Sequence, residues 1–522
     1  MDSPKITRAL ISVSNKMGLA AFAKGLHEAG VELYSTGGTR SFLEKEGISV
    51  QDIAAYTGFP EMMDGRLKTL HPKVHGGILC RRNNLGDMNA LAEHNIKTFE
   101  LVAVNLYPFE ATVAKPGVSE DEAIENIDIG GPTMIRAAAK NHQFVSVVTS
   151  PEQYPAVLEQ IQKTGHTTLQ LRQSLARDAF KMTGNYDNAV SQFFIERLDG
   201  EEFPAVLTTK LVRVDVLRYG ENPHQQAAVY AVPSAKSANV AASRQLNGKD
   251  LSYNNLLDLD AALGIVRSFA QPAVAVIKHN NPCGAAVHEV LSNAVSNAMA
   301  GDPLSAFGSV LGFNREVDAA SAEVLASPGL FVEAVAAPSF SEEAFKILTQ
   351  KPKWGVNVRL LHIGSLEAKP SRWQLRYLEG GALLQETDTN EDPESQWSVV
   401  TETKPDETLR DTIRFAWMIV RHVKSNAIVL AKDRMLLGAG AGQMSRVDSV
   451  SIAVKKAGER IKESVLSSDA FFPFPDSIDL IAEHQIKAVI QPGGSRNDAA
   501  VIEACNKYKI PMIFTGRRHF KH

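Results

Sequence analysis

The sequence predicts an α/β fold, and three observations lead to this class. Near the N terminus, residues 9–13 and 31–34 have the composition of strands, and the segment between them repeats apolar residues at helical spacing. The apolar run 273–277 has the length and β-branched content of a buried strand. Later in the chain, three short segments recur in the same order. Strands that alternate with helices are typical of α/β domains, so we expect more than one such domain.

Length and composition limit the class of protein further. The 522 residues are enough for several domains, and a hydrophobic content of 44% is ample for their cores. The formal net charge of -4 argues against a general nucleic-acid-binding surface. Three scattered cysteines predict no disulfide framework, and we expect neither a signal peptide nor a membrane span. The composition therefore predicts a cytoplasmic enzyme without nucleic acid or membrane among its partners.

Two turns near the N terminus are candidates for binding phosphate. Ser14 follows the first strand as a good helix N-cap, with Lys16 close by. The turn after the second strand combines hydroxyls with Gly37 and Gly38 and opens another helix. Such a turn directs several backbone N–H groups at one anion. Glycines also end strands for steric reasons alone, but two such turns at neighbouring strand ends favour a phosphate pocket.

Two further groups of ionisable residues follow in the N-terminal part. His71 and His75 stand four residues apart, which would suit a metal only on a helix. We predict no metal there, because Pro72 sits poorly inside a helix. Further on, Asp128 precedes a glycine pair and a helix that carries Lys140. Taken alone, the aspartate could be only a helix cap and the lysine only a solvated side chain.

Several runs of this part carry a family resemblance. SVSNK, STGGT, GRLKTLHPKVHGGIL, NLYPF and IDIGGPTMIRAAAKNH resemble the cyclohydrolase half of a bifunctional family. That family combines aminoimidazole carboxamide ribonucleotide (AICAR) transformylase with inosine monophosphate (IMP) cyclohydrolase. The resemblance implies a methylglyoxal-synthase-like, doubly wound domain. It also implies closure of the formylated ribonucleotide, FAICAR, to IMP with loss of water.

The resemblance also implies which residues perform the ring closure. Lys140 would handle protons with the help of Asp128. Lys68 and Tyr107, with Asn105, would orient the amide groups and stabilise the carbonyl oxygen. The residues implied to hold the nucleotide are Ser14, Lys16, Thr36, Gly37, Gly38, Thr39, Arg66 and Thr69.

Composition also predicts how the rest of the chain is organised. A polar helical stretch closes the first domain, and a linker is predicted at 198–202. We therefore place one domain at 1–200 and the other at 201–522. The three echoes that suggest an internal duplication pair 276–280 with 422–426, 305–308 with 468–472, and 333–338 with 487–492. They predict two related α/β subdomains, at about 201–375 and 376–522.

The most informative candidates of the larger domain are Lys278 and His279, at the end of the strand 273–277. Histidine can move a proton near neutrality, and lysine can stabilise developing negative charge. A snorkelling lysine and a hydrogen-bonded histidine are the simpler alternative. A zinc deaminase is not predicted, since Ala286 replaces the second cysteine of P-C-x-x-C. A nucleophilic Cys283–His279 pair is another alternative, but we expect Cys283 to be a buried thiol in the turn.

A second set of runs resembles the transformylase half of the same family. These runs are LRYGENPHQ, LSYNNLLDLDAA, IKHNNPCGAA, GDPLSAFG, VKSNAIVLAKD, GAGQMSR and SSDAFFPFPDS. The resemblance implies two cytidine-deaminase-like subdomains without zinc and an active site completed across a homodimer. It implies transfer of a formyl group from the co-substrate 10-formyltetrahydrofolate to the amine of AICAR.

The same resemblance assigns roles in formyl transfer. His279 would be the base, Lys278 would stabilise the oxyanion or help the folate nitrogen leave, and Asn426 would orient the reacting groups. Ser309 departs from the pattern, because some relatives carry a nucleotide-binding aspartate there. The residues implied on the nucleotide side are Arg218, Tyr219, Arg446 and Arg518, with arginine suited to forked phosphate contacts. Those implied mostly on the folate side are Val447, Phe471, Asp476 and Ser495.

The leading interpretation is thus a cytoplasmic enzyme with two activities and no metal. One alternative makes the N-terminal domain a phosphate-sensing module without catalysis, although such a module has no need for Lys68, Tyr107, Asp128 and Lys140 together. Another makes the larger domain a thiol-dependent amidohydrolase through Cys283.

Overall fold

Two α/β units make up the protein, and they divide after Thr209. The computed structural model describes residues 3–60, 63, 67, 69–115, 117–198, 203–233, 235–389 and 392–522. Residues 199–202 of the predicted linker lie outside this part of the chain. The predicted boundary at residue 200 therefore stays a prediction.

Strands and helices alternate along the N-terminal unit. Its described strands are β1 (Arg8–Val13), β2 (Glu32–Ser35), β3 (Gln51–Asp52), β4 (Leu101–Asn105) and β5 (Ser146–Val148). Its described helices are α1 (Leu19–Glu28), α2 (Gly37–Lys45), α3 (Ile53–Thr57), α4 (Pro72–Leu79), α5 (Leu85–Glu93), α6 (Phe109–Val113), α7 (Glu120–Glu125), α8 (Gly130–Lys140), α9 (Tyr154–Thr164) and α10 (Leu169–Leu198).

The strands of this unit form a parallel sheet in the order β3-β2-β1-β4-β5. The central strands are buried on both faces, and they include Leu10, Ile11, Leu101 and Val102 at 0% exposure. Burial on both faces explains why these segments are continuous apolar runs rather than alternating ones. The strand order reverses between β1 and β4, and open sheets of this kind bind ligands at the carboxyl ends of such strands.

Two local predictions for this unit were wrong. Helix α1 begins at Leu19 with Gly18 as its N-cap, so Ser14 is a loop residue and not a cap. Pro72 does not disrupt a helix, because it occupies the first turn of α4, where its missing N–H has no intrahelical partner to lose. His71 caps that helix by accepting the N–H of Lys73 on Nδ1 at 3.1 Å.

The C-terminal unit contains the remaining elements. Its described strands are β6 (Val212–Leu217), β7 (Ala227–Ala231), β8 (Arg244–Asn247), β9 (Ala273–Lys278), β10 (Asn281–Val287), β11 (Ser309–Phe313), β12 (Val332–Ala337), β13 (Arg359–His362), β14 (Trp373–Leu378), β15 (Gly381–Glu386), β16 (Ser398–Val399), β17 (Ile428–Lys432), β18 (Met435–Gly440), β19 (Val465–Ser468), β20 (Ala488–Gln491) and β21 (Met512–Phe514). Its described helices are α11 (Tyr253–Val266), α12 (Leu291–Met299), α13 (Pro303–Ala306), α14 (Ala319–Leu325), α15 (Glu342–Gln350), α16 (Arg410–Val420), α17 (Arg446–Ala457), α18 (Asp476–Ala482) and α19 (Asp498–Lys507).

Twelve of the described strands form one mixed sheet in the order β16-β21-β20-β19-β17-β18-β10-β9-β11-β12-β13-β8. The sheet has two halves of mirrored order: β18-β17-β19-β20-β21 on one side and β10-β9-β11-β12-β13 on the other. The halves meet where β18 pairs with β10. Two isolated ribbons, β6–β7 and β14–β15, stand apart from this sheet.

The sequence echoes match these halves only in part. The first echo lies at the end of β9 in one half but before β17 in the other, and the second precedes β11 but follows β19. Only the third coincides with strands of equivalent position, β12 and β20. The segments paired in the first two echoes therefore do not occupy equivalent positions in the two halves. Turn-forming polar segments occur at both ends of strands, so their similarity does not indicate equivalence.

Candidate active sites

Asn105, at the end of β4, fixes the loop that follows β1. Its Oδ1 accepts hydrogen bonds from the backbone N–H groups of Ser14 and Asn15, at 2.6 and 3.0 Å. Its Nδ2 donates to the Asn15 carbonyl at 3.1 Å. Ser14 and Asn105 thus lie together at the point where the strand order reverses, and the half-buried Lys16 belongs to the same loop.

The turn after β2 forms the second part of this site. Thr36 is buried as the N-cap of α2, and Gly37 begins the helix with a φ of 45°. The first N–H groups of a helix, here those near Gly38, favour an anion because they lack intrahelical partners. The Thr39 hydroxyl accepts the N–H of Val13 at 3.1 Å and donates to the Val13 carbonyl at 3.0 Å. These two hydrogen bonds attach the turn to β1. A cavity of about 480 Å³ opens beside the turn, and its lining includes Thr36, Gly37, Arg40, Asp52, Phe59 and His71.

Asp128 lies just before α8 among backbone donors. Its carboxylate accepts hydrogen bonds from the N–H of Gly131, at 2.8 Å, and from that of Tyr107. Its own N–H donates to the Tyr186 hydroxyl at 2.7 Å. Burial raises the pKa of Asp128, although the two backbone hydrogen bonds oppose the shift. A half-buried carboxyl with a raised pKa holds its proton more readily than a free carboxyl, which suits it to proton transfer.

The glycine pair beside Asp128 has a steric cause. A Cβ on Gly130 would lie 2.8 Å from Thr69 Oγ1, and a Cβ on Gly131 would lie 2.5 Å from Asp128 Oδ2. Both distances are too short for a Cβ, so a side chain at either position would displace Thr69 or Asp128, and glycine keeps them in place. The close fit places Thr69 and Asp128 together, with Tyr107 also close and 55% exposed.

Lys140 does not join this group within one chain. It is the exposed last residue of α8, whereas Asp128 precedes the first. Because an α-helix rises about 1.5 Å per residue, the ends of α8 lie about 15 Å apart. A lysine side chain cannot span that separation, so one chain does not form the predicted proton-transfer pair. Of the other predicted cations, Arg66 and Lys68 lie outside the described residues.

The residues predicted for formyl transfer gather at one edge of the twelve-stranded sheet. Lys278 ends β9 at this edge. Asn426 precedes β17, whose first residue pairs with the last residue of β19. Through the antiparallel pairs β17–β18, β18–β10 and β10–β9, the start of β17 and the end of β9 share that edge. The residues that follow β18, β19, β20 and β21 at the same edge are Arg446, Phe471, Ser495 and Arg518.

His279 and Asn280 form the two-residue turn between β9 and β10. Both have positive φ, at 52° and 62°, as a type I′ hairpin turn requires. Asp258 on α11 accepts the Asn280 N–H at 2.7 Å, and Asn281 Nδ2 donates to the His279 carbonyl at 3.2 Å. The turn is held from two sides while His279 itself is exposed. A rigid support therefore presents this imidazole to solvent.

Asn281 also joins this turn to the loop of Asn426. Its Oδ1 accepts the backbone N–H of Lys424 at 3.1 Å. Lys278 Nζ donates to two backbone carbonyls before β11, at 2.9 and 3.1 Å, which keeps the ammonium group at the same edge. The structure thus brings Lys278, His279 and the Asn426 loop together.

A buried ion pair orients Asn426. Arg446 Nη1 lies 2.5 Å from Asp469 Oδ1, and Arg446 Nη2 donates to Asn426 Oδ1 at 2.8 Å. Asn426 Nδ2 donates to the Gln443 carbonyl at 2.9 Å, so both ends of its amide are engaged. The side chains of Arg446 and Asp469 are 6% and 0% exposed. This burial does not match the forked phosphate contact predicted for Arg446, because its guanidinium is committed to protein partners.

The other predicted ligand residues at this edge differ in exposure. Val447 is half-buried in the first turn of α17, Phe471 is 37% exposed, and Asp476 is exposed at the start of α18. Ser495 is half-buried after β20. Ser309 is buried at the start of β11, and its Oγ has no hydrogen-bond partner among the described residues. The hydroxyl is enclosed by the protein, so it is not exposed to a ligand in this structure.

Arg218 and Tyr219 follow β6 on a separate ribbon. The Arg218 guanidinium lies over the Tyr219 ring, 4.9 Å from its centroid. Asn254 Nδ2 donates to the Glu221 carbonyl at 3.3 Å, which ties the following loop to the first turn of α11. Because α11 also carries Asp258, one helix supports both this loop and the His279 turn.

Cys283 differs from its predicted setting. It lies in strand β10 and not in the turn, and its Sγ donates to the Val276 carbonyl at 3.4 Å. Burial, together with the charge of Asp302, raises the pKa of Cys283 to about 12. A thiol with this pKa is protonated at neutral pH, which argues against the thiol-dependent alternative.

Replacing Cys283 with alanine is therefore expected to leave formyl transfer unchanged. The matched control is Cys505→Ala, which removes another buried thiol whose pKa burial raises to about 12. Formation of tetrahydrofolate from AICAR and 10-formyltetrahydrofolate provides the measurement. A loss of rate confined to the Cys283 variant would restore the thiol alternative.

Three residues near these sites were not predicted from the sequence. Asp258 and Asp469 anchor the His279 turn and the Asn426 loop, and Tyr186 contacts Asp128. A single aspartate in a helix or after a strand gives no sign of the backbone N–H or cation that it will meet. Only its position beside an apolar run could have suggested that Asp469 is buried.

Two α/β units, each with a group of polar residues where its strands end, are typical of an α/β enzyme with two candidate active sites. No helix in the described ranges is long and apolar enough to cross a membrane.

Comparison with known proteins identifies the family. The family model described as AICARFT/IMPCHase bienzyme matches residues 138–456, and that of the MGS-like domain matches residues 18–133. The chain is 58% identical over 521 residues to the bifunctional purine biosynthesis protein PurH of Rhodopirellula baltica, covering 100% of both chains. It is 49% identical over 515 residues to PurH of Bacillus cereus, covering 99% of both. The crystal structure of ForH is 34% identical, with a TM-score of 0.34 over 36% of this chain and 96% of its own.

The chain belongs to the AICARFT/IMPCHase bienzyme family, and this confirms the family predicted from the motifs. It is a bifunctional AICAR transformylase and IMP cyclohydrolase. The MGS-like match also confirms the predicted class of the N-terminal fold. The likeness of the two C-terminal halves to cytidine deaminases and the absence of zinc stay predictions.

Proposed function

We propose that formyl transfer takes place at the edge of the twelve-stranded sheet and that ring closure takes place at the carboxyl end of the N-terminal sheet. The first reaction moves a formyl group from 10-formyltetrahydrofolate to AICAR, and the second closes FAICAR to IMP in purine biosynthesis. One observation carries the assignment of the first site: Asn281 joins the exposed His279 turn to the Asn426 loop.

In formyl transfer, the amine nitrogen of AICAR attacks the formyl carbon and loses a proton to His279. The carbonyl electrons move to oxygen, and the Lys278 ammonium stabilises the oxyanion. Collapse of this intermediate breaks the bond from carbon to the folate nitrogen, which takes up a proton as it leaves. Asn426 orients the amine and formyl groups, since its own amide is fixed by Arg446 and Gln443.

The ligands of this site divide into a nucleotide side and a folate side. Arg446 acts through Asn426, because its guanidinium is buried against Asp469. We assign Arg218, Tyr219 and Arg518 to the nucleotide, and Val447, Phe471, Asp476 and Ser495 mostly to the folate. Folate is the co-substrate, and the proposed steps use no metal.

In ring closure, the carboxamide nitrogen attacks the formamide carbonyl, and water is lost. Asp128 moves the proton, since its half-buried carboxyl has a raised pKa and lies among backbone donors. Tyr107 and Asn105, with Lys68, stabilise the carbonyl oxygen and orient the amide groups. The residues proposed to bind the nucleotide around this group are Ser14, Lys16, Thr36, Gly37, Gly38, Thr39, Arg66 and Thr69.

A second copy of the chain is part of the proposal. Lys140 lies about 15 Å from the Asp128 end of α8 by helix rise, so it acts at this site only if another copy supplies it. The ribbon β6–β7 also exposes Val212, Val214 and Val216 by 49–61%, and a two-stranded ribbon has little stability alone. A symmetric homodimer would cover this apolar face and complete the formyl-transfer sites. A cytoplasmic location stays a prediction.

An assay of the purified full-length chain tests the proposed function. With AICAR and 10-formyltetrahydrofolate, we expect tetrahydrofolate and IMP to form, and each is followed separately. Tetrahydrofolate without IMP would contradict the ring-closure assignment and favour a phosphate-sensing role for the N-terminal unit. If neither product forms, FAICAR alone is supplied, and IMP formation would show that only the transformylase assignment is wrong.

A further inference from the structure

The C-terminal tail carries a buried histidine that the proposed reactions do not use. His519 is 2% exposed, and each of its ring nitrogens lies 2.6 Å from a carboxylate oxygen. Nδ1 faces Asp388 Oδ2 and Nε2 faces Asp392 Oδ2. An ionised carboxylate only accepts hydrogen bonds, so both ring nitrogens must donate. The two aspartates therefore hold His519 as an imidazolium cation.

Other side chains complete the surroundings of this cation. Arg421 Nη2 lies 3.2 Å from Asp388 Oδ1. Trp417 Nε1 donates to Asp392 Oδ2 at 3.0 Å, and Arg517 Nη1 lies 2.8 Å from Asp392 Oδ1. Burial alone would raise the pKa of both aspartates. The hydrogen bond and charge of His519 oppose it, joined by the charge of Arg421 at Asp388 and by Trp417 and Arg517 at Asp392, and together they lower the pKa of each. Other titratable groups among the described residues near the cluster include His422, Lys521 and Asp469.

The same tail is bonded to the loop of Asn426. The His519 N–H donates to the Asp469 carbonyl at 3.0 Å, and the Ser425 N–H donates to the Lys521 carbonyl at 2.9 Å. Asp469 accepts the Ser425 hydroxyl at 2.5 Å and also pairs with the arginine that orients Asn426. The tail thus contacts the peptide before Asn426 both directly and through Asp469.

We propose that His519 is a positioning residue for formyl transfer, which rests on the function proposed above. Its imidazolium fastens the tail 517–521 to Asp388 and Asp392. The fastened tail holds the Ser425 peptide, and that peptide fixes where Asn426 presents its amide. His519 itself touches no reacting atom, so its effect on rate comes through the Asn426 loop. Misplacement of a reacting group by about 1 Å costs about 10²-fold in rate.

Because it depends on the charge of His519, the attachment of the tail to Asp388 and Asp392 depends on pH. Burial alone would lower the pKa of His519, but the hydrogen bonds and charges of Asp388 and Asp392 raise it above the ordinary value. The contribution of the cation to stability is complete below the ordinary histidine pKa of about 6.5 and is lost as pH rises through the raised value. The contribution of the two ionised aspartates to stability is complete above their ordinary pKa of about 3.9. It is lost as pH falls through their lowered pKa values. The tail is fastened between these limits.

Two variants of the full-length chain test the proposal, His519→Gln and His519→Lys. Glutamine removes the charge, whereas lysine keeps a cation with N–H donors. We expect His519→Gln to lower kcat for formyl transfer by about 10²-fold and to increase deuterium uptake at Ser425. His519→Lys should retain activity to within about tenfold and should not show the alkaline fall in kcat that we expect of the wild type. Ring closure of FAICAR should be unchanged in both, and His484→Gln is the matched control.

Three outcomes would overturn the proposal. Unchanged formyl transfer in a folded His519→Gln variant would exclude a positioning role. Parallel loss of both activities would show a general loss of folding. Unchanged uptake at Ser425 would show that the tail does not fix this loop. An inactive wild-type chain would instead overturn the proposed function, and deuterium uptake would still decide whether His519 fastens the tail.

Discussion

Replacing His279 is expected to lower kcat for formyl transfer by about 10²–10⁴-fold, the usual contribution of a positioned proton-transfer group. The amine of AICAR is conjugated with its ring and needs a base as it attacks. His279 is the exposed titratable side chain at the tip of a turn that Asp258 and Asn281 hold. Ring closure should be unaffected, because the residues proposed for it belong to the other unit.

The choice of substitution matters here because of the backbone. His279 has a φ of 52°, and asparagine adopts positive φ far more readily than alanine. His279→Asn therefore keeps the turn and removes the base, whereas His279→Ala also strains the turn. Equal losses in both variants would assign the effect to the imidazole. Full activity in His279→Asn, or loss of ring closure in a folded variant, would contradict the two-site assignment.

Asp128→Asn and Lys140→Ala are each expected to lower ring closure by about 10²–10⁴-fold while leaving formyl transfer intact. Asparagine can still accept the Gly131 N–H, so the start of α8 is preserved and only the proton-transfer group is lost. Both variants are assayed with FAICAR, and formyl transfer in the same preparation is the control for folding.

A mixed dimer of these two variants tests whether Lys140 comes from a second copy. If it does, one site of the heterodimer carries both substitutions and the other carries neither. The heterodimer, isolated through two different affinity tags, should then regain about half the wild-type rate per dimer. If Lys140 acts within its own chain, each site carries one substitution and the heterodimer stays inactive. Unchanged ring closure in Lys140→Ala alone would exclude the residue from catalysis.

Much of the fold could be predicted because its signals are local. The apolar runs at 101–104 and 273–277 became β4 and β9, since uninterrupted β-branched segments are stable mainly where both sheet faces are covered. The prediction that Ser14 is a helix N-cap was wrong because the hydrogen bonds that fix this loop come from Asn105, which is distant in sequence. Pro72 was misjudged because its effect depends on whether it stands at the start or in the interior of a helix.

The site was predictable to a smaller degree. Resemblance pointed to Asn426 and Arg446 as neighbours of the substrate. It could not show that the arginine is buried against Asp469, which changes its proposed role from binding phosphate to orienting Asn426. The contacts of His519 with Asp388 and Asp392 could not be predicted from the sequence, because the two aspartates lie more than 120 residues away and belong to no motif.

The sequence by itself determined the family, the α/β class and the positions of polar residues at strand ends, since motifs and apolar periodicity are properties of neighbouring residues. Only the tertiary structure decided that Asn281 meets Lys424, 143 residues further on, and that Lys140 and Asp128 occupy opposite ends of one helix. It also decided which charged side chains are buried as ion pairs, as Arg446 and Asp469 are. Such pairs form only when strands distant in sequence exclude water together, so no local pattern records them.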